Sequence, residues 1–202
     1  MYKVVDNFFE DPYEVRQIGI DLIAKKHSCI LNDSTNYYPG IRCSVPNHIN
    51  TFIISFLEKT FNRSIKNFCP FYHITSAIHG SGLIHYDADS HEENIYAGLI
   101  YLNENPPEKS GTILCNEIDY FNKNTITNSF NLVCSTHDVK IISEFEKDRE
   151  KYNRNFEIET EIENKFNRLL IYKGNRPHAP YYYFGNNLFN SRLILVFLFN
   201  LV

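Results

Sequence analysis

The hydrophobic pattern of the chain changes its period near residue 68, and this change limits the folds that the chain can adopt. Before it, the segments 13–26 and 49–61 have apolar residues at helical spacing. After it come about eight short segments that are apolar or alternating, and 156–162 (FEIETEI) alternates strictly. Aromatic residues make up 15% of the chain and suit the half-buried faces of a sheet. The pattern predicts a mainly β fold with flanking helices, built as a sandwich or a barrel.

The length of the chain, 202 residues, suits a single domain with a sizeable core. The sequence contains no evident internal repeat and no linker that would divide it. We therefore expect one domain over 1–202. It would comprise a helical N-terminal part (1–66), a β core (67–116 and 156–202) and an insert or lid (117–155).

Charge and hydropathy exclude some classes of partner. The net charge of −4, with both signs mixed along the chain, lacks the basic footprint of tight nucleic-acid binding. The longest apolar run, 193–199, is far shorter than the roughly 20 residues that cross a bilayer. The N-terminal sequence MYKVVDNFFEDP lacks the apolar stretch of a signal peptide, and five cysteines without a CxxC pair predict reduced thiols. These features favour a cytoplasmic protein, and they leave its oligomeric state open.

Two residues with metal-binding side chains precede a predicted buried strand at 95–102. His85 and Asp87 lie two residues apart in a predicted short strand, so the imidazole and the carboxylate point to the same face. Together with a second histidine they would suit Fe(II), Mn(II) or Zn(II). His178 is the candidate, because it follows a predicted strand in GNRPHAP, where two prolines stiffen the backbone.

Arg192 opens the apolar segment RLILVFLF, and a charge that enters a buried strand needs a partner. A guanidinium fork is suited to hold a carboxylate through two hydrogen bonds. The residues alone also leave structural interpretations open. His85 and Asp87 would form a hydrogen-bonded pair, His178 would pack among the tyrosines at 181–183, and Arg192 would pair with a surface acid.

The order of HxD, a distant histidine and then an arginine resembles the motif of the Fe(II)/2-oxoglutarate-dependent dioxygenase superfamily. Within that superfamily it resembles the prolyl-4-hydroxylase-like branch. The sequence IYLN at 100–103 resembles the strand that follows HxD in these enzymes, and NRLL at 167–170 resembles the strand before the distal histidine. The resemblance implies a double-stranded β-helix core of the jelly-roll or cupin type.

The resemblance also implies the roles of five residues. His85, Asp87 and His178 would hold Fe(II). Arg192, assisted by Tyr101, would bind 2-oxoglutarate as the co-substrate. The implied reaction consumes O2, releases succinate and CO2, and hydroxylates a C–H bond of a peptide (prolyl-type) or small-molecule substrate.

The sequence also departs from the family pattern and leaves other functions open. Ile194 stands where many relatives carry Ser or Thr that shares the co-substrate carboxylate, and Tyr101 has an alternative interpretation as a core aromatic. Asp89 and His91 are rival ligands without the same strand geometry. The alternatives are a cupin-type hydrolase or isomerase that uses zinc or manganese, and a non-catalytic binding domain on the same barrel.

Overall fold

The chain begins with helices that flank short strands and continues as a long series of strands. The computed structural model describes residues 2–25, 29–30, 40–89, 91–118 and 139–202, with the backbone alone for 29–30 and 139–145. In chain order the elements are β1 (Tyr2–Val5), α1 (Pro12–Ala24), β2 (Cys29–Ile30), β3 (Ile41–Ser44), α2 (Asn47–Phe61), β4 (Ile65–Thr75), a 3-10 turn (Ala77–His79), β5 (Ile95–Tyr101), β6 (Thr112–Glu117), α3 (Val139–Asn153), β7 (Phe156–Ile162), β8 (Leu169–Lys173), β9 (His178–Pro180) and β10 (Arg192–Leu201).

Two antiparallel sheets organise these strands. The larger has the order β1-β8-β5-β10-β4-β3-β2, and the smaller has the order β7-β6-β9. Side chains from β5, β8 and β10 meet side chains from β6 and β7 in one buried apolar cluster between the sheets. The prediction of a mainly β fold with flanking helices and a jelly-roll core is therefore confirmed.

Strand β10 is central to the larger sheet and is buried on both sides. Leu193, Leu195 and Phe197 belong to the main core, which includes residues of α1 and α2. Ile194 points the other way, into the cluster between the sheets. Arg192 lies two residues before Ile194 on the same side of the strand, so β10 carries a charge into the space between the sheets.

The position of α1 follows from its first residues and from one tyrosine. Asp11 is the N-cap, and its side chain accepts a hydrogen bond from a backbone N–H of the first turn at 2.9 Å. Pro12 occupies the first helical position, where its missing N–H has no cost. The hydroxyl of Tyr72 on β4 donates to the carbonyl of Val15 at 2.9 Å. The helix is thereby held against the outer face of the larger sheet.

Short segments account for the differences from the predicted elements. Residues 83–87, predicted as a strand, form one isolated bridge, which pairs His85 with His178. The sequence NYYPGIR at 36–42, with its Pro-Gly pair, predicts a loop, but its described part contains the beginning of β3. The Pro- and Tyr-rich segment between the strands predicted at 168–172 and 192–201 also predicts a loop, but it contains β9. These segments are too short to show a period, and they are extended because distant strands pair with them.

Cysteine pairing differs from the prediction as well. Cys43 is disulfide-bonded, whereas Cys69 and Cys115 are free thiols. The prediction of reduced cysteines is wrong at Cys43, so the cysteines no longer support a cytoplasmic location. None of the described helices is long and apolar enough to cross a membrane.

The segment expected as an insert or lid, 117–155, is described in part. Within this segment, the charged pattern of 139–151 predicts a helix, and residues 139–153 form α3. Residues 119–138 lie outside the described residues. The end of α3 packs on the smaller sheet, where Tyr152 shares a buried cluster with Ile84 and Phe156.

Candidate metal centre

Backbone pairing brings together the three residues predicted to bind a metal. The N–H of His85 donates to the carbonyl of His178 at 3.0 Å, and the N–H of His178 donates back to His85 at 3.0 Å. The N–H of Asp87 donates to the carbonyl of Gly174 at 2.9 Å. The segment that carries His85 and Asp87 therefore lies along β9 as a further edge of the smaller sheet.

The side chains of these residues converge on one point. One nitrogen or oxygen atom from each of His85, Asp87 and His178 lies within 4.8 Å of the others. The Asp87 carboxylate lies 3.3 Å from Nε2 of His178 and 3.8 Å from Nε2 of His85. In the described part of the chain, no other group of three histidine, cysteine or acidic side chains comes together in this way. The rival ligands Asp89 and His91 do not belong to the group of His85, Asp87 and His178.

Both histidines are oriented by the same local device. Nδ1 of His85 lies 2.9 Å from the carbonyl oxygen of Leu83, and Nδ1 of His178 lies 2.9 Å from that of Arg176. A carbonyl oxygen only accepts hydrogen bonds, so in both neutral rings Nδ1 carries the hydrogen. Nε2 of each ring then faces Asp87 and the centre of the group, where its lone pair is available to a metal ion once the nitrogen has lost any hydrogen that it donates to Asp87. This tautomer, fixed by the bond at the other ring nitrogen, is the one that a metal site uses.

The charge states of the three groups depend on burial and on one another. Partial burial lowers the pKa of His85, and the neighbouring His178 acts in the same direction. Burial alone would raise the pKa of Asp87, but His178, His85 and Arg42 together outweigh it and lower the value to about 2. Burial would lower the pKa of His178, but the carboxylate of Asp87 outweighs it and raises the pKa. At neutral pH, His85 is therefore neutral and Asp87 ionised, the states in which both bind a divalent cation.

The group opens to solvent on one side. The side chain of His178 is 5% exposed and that of Asp87 is 21% exposed, whereas that of His85 is 44% exposed. A metal ion bound here would have two imidazole nitrogens and one carboxylate on one face. This donor set fits Fe(II) and leaves positions open for exchangeable ligands.

Arg192 is the second unusual feature of the space between the sheets. The residue is 1% exposed, and its Nε donates to the carbonyl of Ser110 at 3.3 Å. Its Nη2 is buried and makes no hydrogen bond, and no carboxylate of the described residues lies within ion-pair distance of the guanidinium. The interpretation of Arg192 as the partner of a surface acid therefore does not fit. A buried cation with an unused donor suits an anionic ligand.

Tyr101 lies beside this guanidinium. Its ring centroid is 5.9 Å from the guanidinium carbon of Arg192, and its hydroxyl donates to Oγ1 of Thr112 at 2.7 Å. Burial raises the pKa of Tyr101, although the charge of Arg192 opposes it, so the hydroxyl keeps its hydrogen at neutral pH. Ile194 is buried next to Tyr101 in the cluster between the sheets. Arg192, Tyr101 and Thr112 therefore bring polar groups to the otherwise apolar cluster between the sheets.

Tyr172 on β8 is a site residue that sequence reasoning missed. Its ring centroid lies 4.6 Å from that of His178, and the ring centroid of His85 lies 4.4 Å from that of His178. Burial raises the pKa of Tyr172, the negative charge of Asp87 raises it further, and the positive charge of Arg192 opposes the rise. Tyr172 thus contacts the three-ligand group and also belongs to the buried cluster that contains Tyr101 and Ile194. Only the register of β8 places it there, because the sequence gives it no motif.

Arg42 on β3 is another such residue. The strand register pairs Arg42 with His73 and His73 with Ile194, which places all three on the same side of the larger sheet. The guanidinium carbon lies 4.0 Å from the ring centroid of Phe71, and the positive charge helps to lower the pKa of Asp87. Sequence reasoning predicts a loop at this position and therefore gives Arg42 no role.

Comparison with known proteins gives a likeness in structure alone. No protein-family model matches the sequence, and no curated protein matches it either. Among solved structures, a prolyl hydroxylase from Trichoplax adhaerens in complex with a peptide fragment of the hypoxia inducible factor oxygen degradation domain is similar. The TM-score is 0.60 at 12% identity, over 98% of this chain and 83% of the other.

Two further structures give the same result. A prolyl-4-hydroxylase from Pseudomonas putida has a TM-score of 0.55 at 13% identity, over 98% of this chain and 91% of the other. HygX from Streptomyces hygroscopicus, solved with nickel and 2-oxoglutarate bound, has a TM-score of 0.52 at 10% identity, over 98% of this chain and 82% of the other. At such identities the likeness establishes the fold, and it confirms the fold implied by the resemblance to prolyl-4-hydroxylases.

Proposed function

We propose that the protein is an Fe(II)- and 2-oxoglutarate-dependent oxygenase. The observation that carries the proposal is the buried guanidinium of Arg192, which has an unused donor and no carboxylate partner among the described residues. The buried cluster between the sheets, beside the guanidinium, also contains Tyr172, whose ring contacts His178 of the three-ligand group. A ligand with a metal-chelating end and a distant carboxylate would satisfy both features, and 2-oxoglutarate has this form.

Each residue of the site has a distinct role in this proposal. His85, Asp87 and His178 would hold the metal, and their fixed Nε2 atoms need no rotation before binding. Arg192 would hold the far carboxylate of the co-substrate through its planar fork, and Tyr101 would turn the hydroxyl hydrogen that it now donates to Thr112 toward the same carboxylate. When bound, Fe(II) and 2-oxoglutarate would supply the oxidising chemistry, in which O2 is consumed, succinate and CO2 are released and a substrate C–H bond is hydroxylated.

The apolar residues of the cluster between the sheets would exclude water from the co-substrate. Leu114, Leu170 and Ile194 are all buried in the cluster between the sheets, around Tyr101 and Tyr172. In such surroundings the attraction between a guanidinium and a carboxylate is much stronger than in water. The position of Ile194 therefore gives apolar shielding where many relatives have a further hydroxyl.

The proposed substrate is a peptide with a prolyl-type side chain or a small molecule, and it would approach from the exposed side of His85. Structures with the same fold support both classes, since the Trichoplax enzyme is described with a peptide and HygX is described with hygromycin B. Arg42 and Phe71 lie on the face of the larger sheet that continues past this opening, and they would contact the substrate.

The test is the response of 2-oxoglutarate binding to the loss of Arg192. We expect Arg192→Met to raise the Kd of 2-oxoglutarate by about 100-fold or more, because a charge-assisted pair contributes about 3 kcal/mol. Isothermal titration of the Mn(II)-loaded protein measures this Kd, and succinate release measures turnover. Arg63→Met is the matched control, because Arg63 bonds to carbonyls at the opposite end of β10.

Equal affinities of the wild type and Arg192→Met would contradict the proposed binding mode. A wild type that binds Mn(II) but neither binds 2-oxoglutarate nor forms succinate would instead favour a cupin-type hydrolase or isomerase.

A further inference from the structure

We infer that Asn153, the last residue of α3, is a positioning residue that fixes the imidazole of His85 for metal binding. The inference rests on the proposed metal site, and it is independent of the identity of the co-substrate and the substrate. It gives a role to the end of the segment that separates β6 from β7 in the sequence.

The side-chain amide of Asn153 bonds to the backbone that leads to His85. Its Oδ1 accepts from the N–H of Ile84 at 3.1 Å, and its Nδ2 donates to the carbonyl of Gly82 at 3.0 Å. The backbone N–H groups of Gly82 and His85 are already used, since they donate to carbonyls in β9. Asn153 therefore hydrogen-bonds the N–H of Ile84 and the carbonyl of Gly82, which point away from β9, as a neighbouring strand would in a continuous sheet.

The Leu83–Ile84 peptide unit connects Asn153 to His85. The N–H of this unit donates to Asn153, and its carbonyl accepts the hydrogen on Nδ1 of His85 at 2.9 Å. The N–H and the carbonyl of a trans peptide lie in one plane and point in opposite directions. By holding the N–H, Asn153 sets the direction of the carbonyl, and the carbonyl sets the ring orientation and the tautomer of His85. Nε2 of His85 is thereby kept free for the metal.

His178 provides a comparison within the same site. Its Nδ1 donates to the carbonyl of Arg176 at 2.9 Å, which belongs to the Arg176–Pro177 peptide unit. This unit has no N–H to hold, and the proline ring restricts the backbone on both sides of it. The carbonyl of Pro177 is also bonded by the N–H of Cys115 at 2.8 Å. The orientation of His178 therefore depends on β6 and on a proline, whereas that of His85 depends on α3.

Other contacts hold α3 in the position that Asn153 requires. Arg149 is 3% exposed, and its guanidinium donates to the carbonyl of Ser81 at 2.8 Å and to the carboxylate of Glu146 at 2.8 Å. Tyr152 packs in the same buried cluster as Ile84. The last turns of α3 are thus anchored to the segment that they would position, and the amide of Asn153 has a defined place.

The experiment compares Asn153→Ala with Asn155→Ala. The control removes an amide that donates only to the nearby carbonyl of Tyr152 at 2.7 Å. In metal-free protein labelled with 15N-histidine, NMR reports the tautomer of each ring, and anaerobic titration with Co(II) reports metal affinity. We expect Asn153→Ala to raise the Kd of Co(II) by about 10- to 100-fold. We also expect the hydrogen on Nδ1 of His85 to be lost while that on Nδ1 of His178 is kept, and Asn155→Ala to resemble the wild type.

Two results would overturn the inference. One is an unchanged His85 tautomer with unchanged Co(II) affinity, and the other is an equal change in both histidines, which would indicate general loosening. If Asn153→Ala does not fold, Asn153→Ser, whose side chain is too short to bridge both backbone groups, is judged by the same readouts. Asn153→Asp retains an acceptor for the N–H of Ile84, so it should keep the His85 tautomer. A wild type that binds Co(II) but forms no succinate would refute the oxygenase and leave the inference standing.

Discussion

Arg192 has a buried guanidinium with no carboxylate partner among the residues that the structure describes. Arg192 is 1% exposed, and removal of water from its charge costs free energy that the carbonyl of Ser110 offsets only in part. Burial lowers its pKa, and the neighbouring Tyr101 opposes this shift, yet arginine remains charged in any such site. A bound anion would compensate this cost, and an anionic ligand is the partner that we propose.

Tyr101→Phe tests whether this region binds the co-substrate. The variant removes one hydroxyl and keeps the ring, so we expect the Kd of 2-oxoglutarate to rise about tenfold, since a hydrogen bond to a carboxylate is worth about 1.5 kcal/mol. Isothermal titration of the Mn(II)-loaded protein measures the change. Tyr96→Phe is the control on the same strand, because Tyr96 stacks on Phe199 in the other core at 5.6 Å. The same affinity in both variants would mean that the hydroxyl of Tyr101 does not touch the ligand.

At the scale of elements, the sequence predicts long strands better than short ones. The range predicted for β7, 156–162, is confirmed because strict alternation marks a strand with one exposed face. The range predicted for β10, 192–201, is confirmed because its run is apolar on both faces. The three residues of β9 have no period of their own. Their strand conformation comes from pairing with β6, which lies far away along the sequence.

The ion pairs of Asp6, next to the edge strand β1, predict how the stability of the protein depends on pH. Asp6 follows β1, and its carboxylate accepts hydrogen bonds from Arg168 at 2.6 Å and from Lys165 at 2.8 Å, which hold the pKa of Asp6 well below its usual range. A lowered pKa in the folded state means that the stabilisation is present above the unfolded value, about 3.9, and is lost as the pH falls further. We therefore expect Asp6→Asn to be less stable than the wild type at pH 7.

The difference in the free energy of unfolding should be about 1 kcal/mol or less, because the side chain of Asp6 is 34% exposed and solvent screens the pair. Urea unfolding at pH 7 and at pH 3 measures it, and the difference should shrink at the lower pH. Asp148→Asn, at an exposed position of α3, should show no such dependence. A difference that is equal at both pH values would refute the ion-pair explanation.

At the scale of the whole molecule, the fold and the ligand residues differ in how far the sequence can predict them. The fold follows from the sequence pattern and the family resemblance, and the motif draws attention to His85, Asp87 and His178, which the structure brings together. The supporting residues follow from three-dimensional packing alone. Asn153 bonds to a segment about 70 residues away, and Tyr172 meets His178 because β8 has a particular register, so neither could be read from a local pattern.

The central claim is that the three residues bind one iron ion and that 2-oxoglutarate joins them there. Anaerobic titration of the protein with Fe(II) and 2-oxoglutarate tests this claim most directly, through the weak visible charge-transfer band of the chelate. We expect the band to form in the wild type and to be lost in a folded His178→Ala variant. Absence of the band in the wild type, or an unchanged band in His178→Ala, would contradict the account.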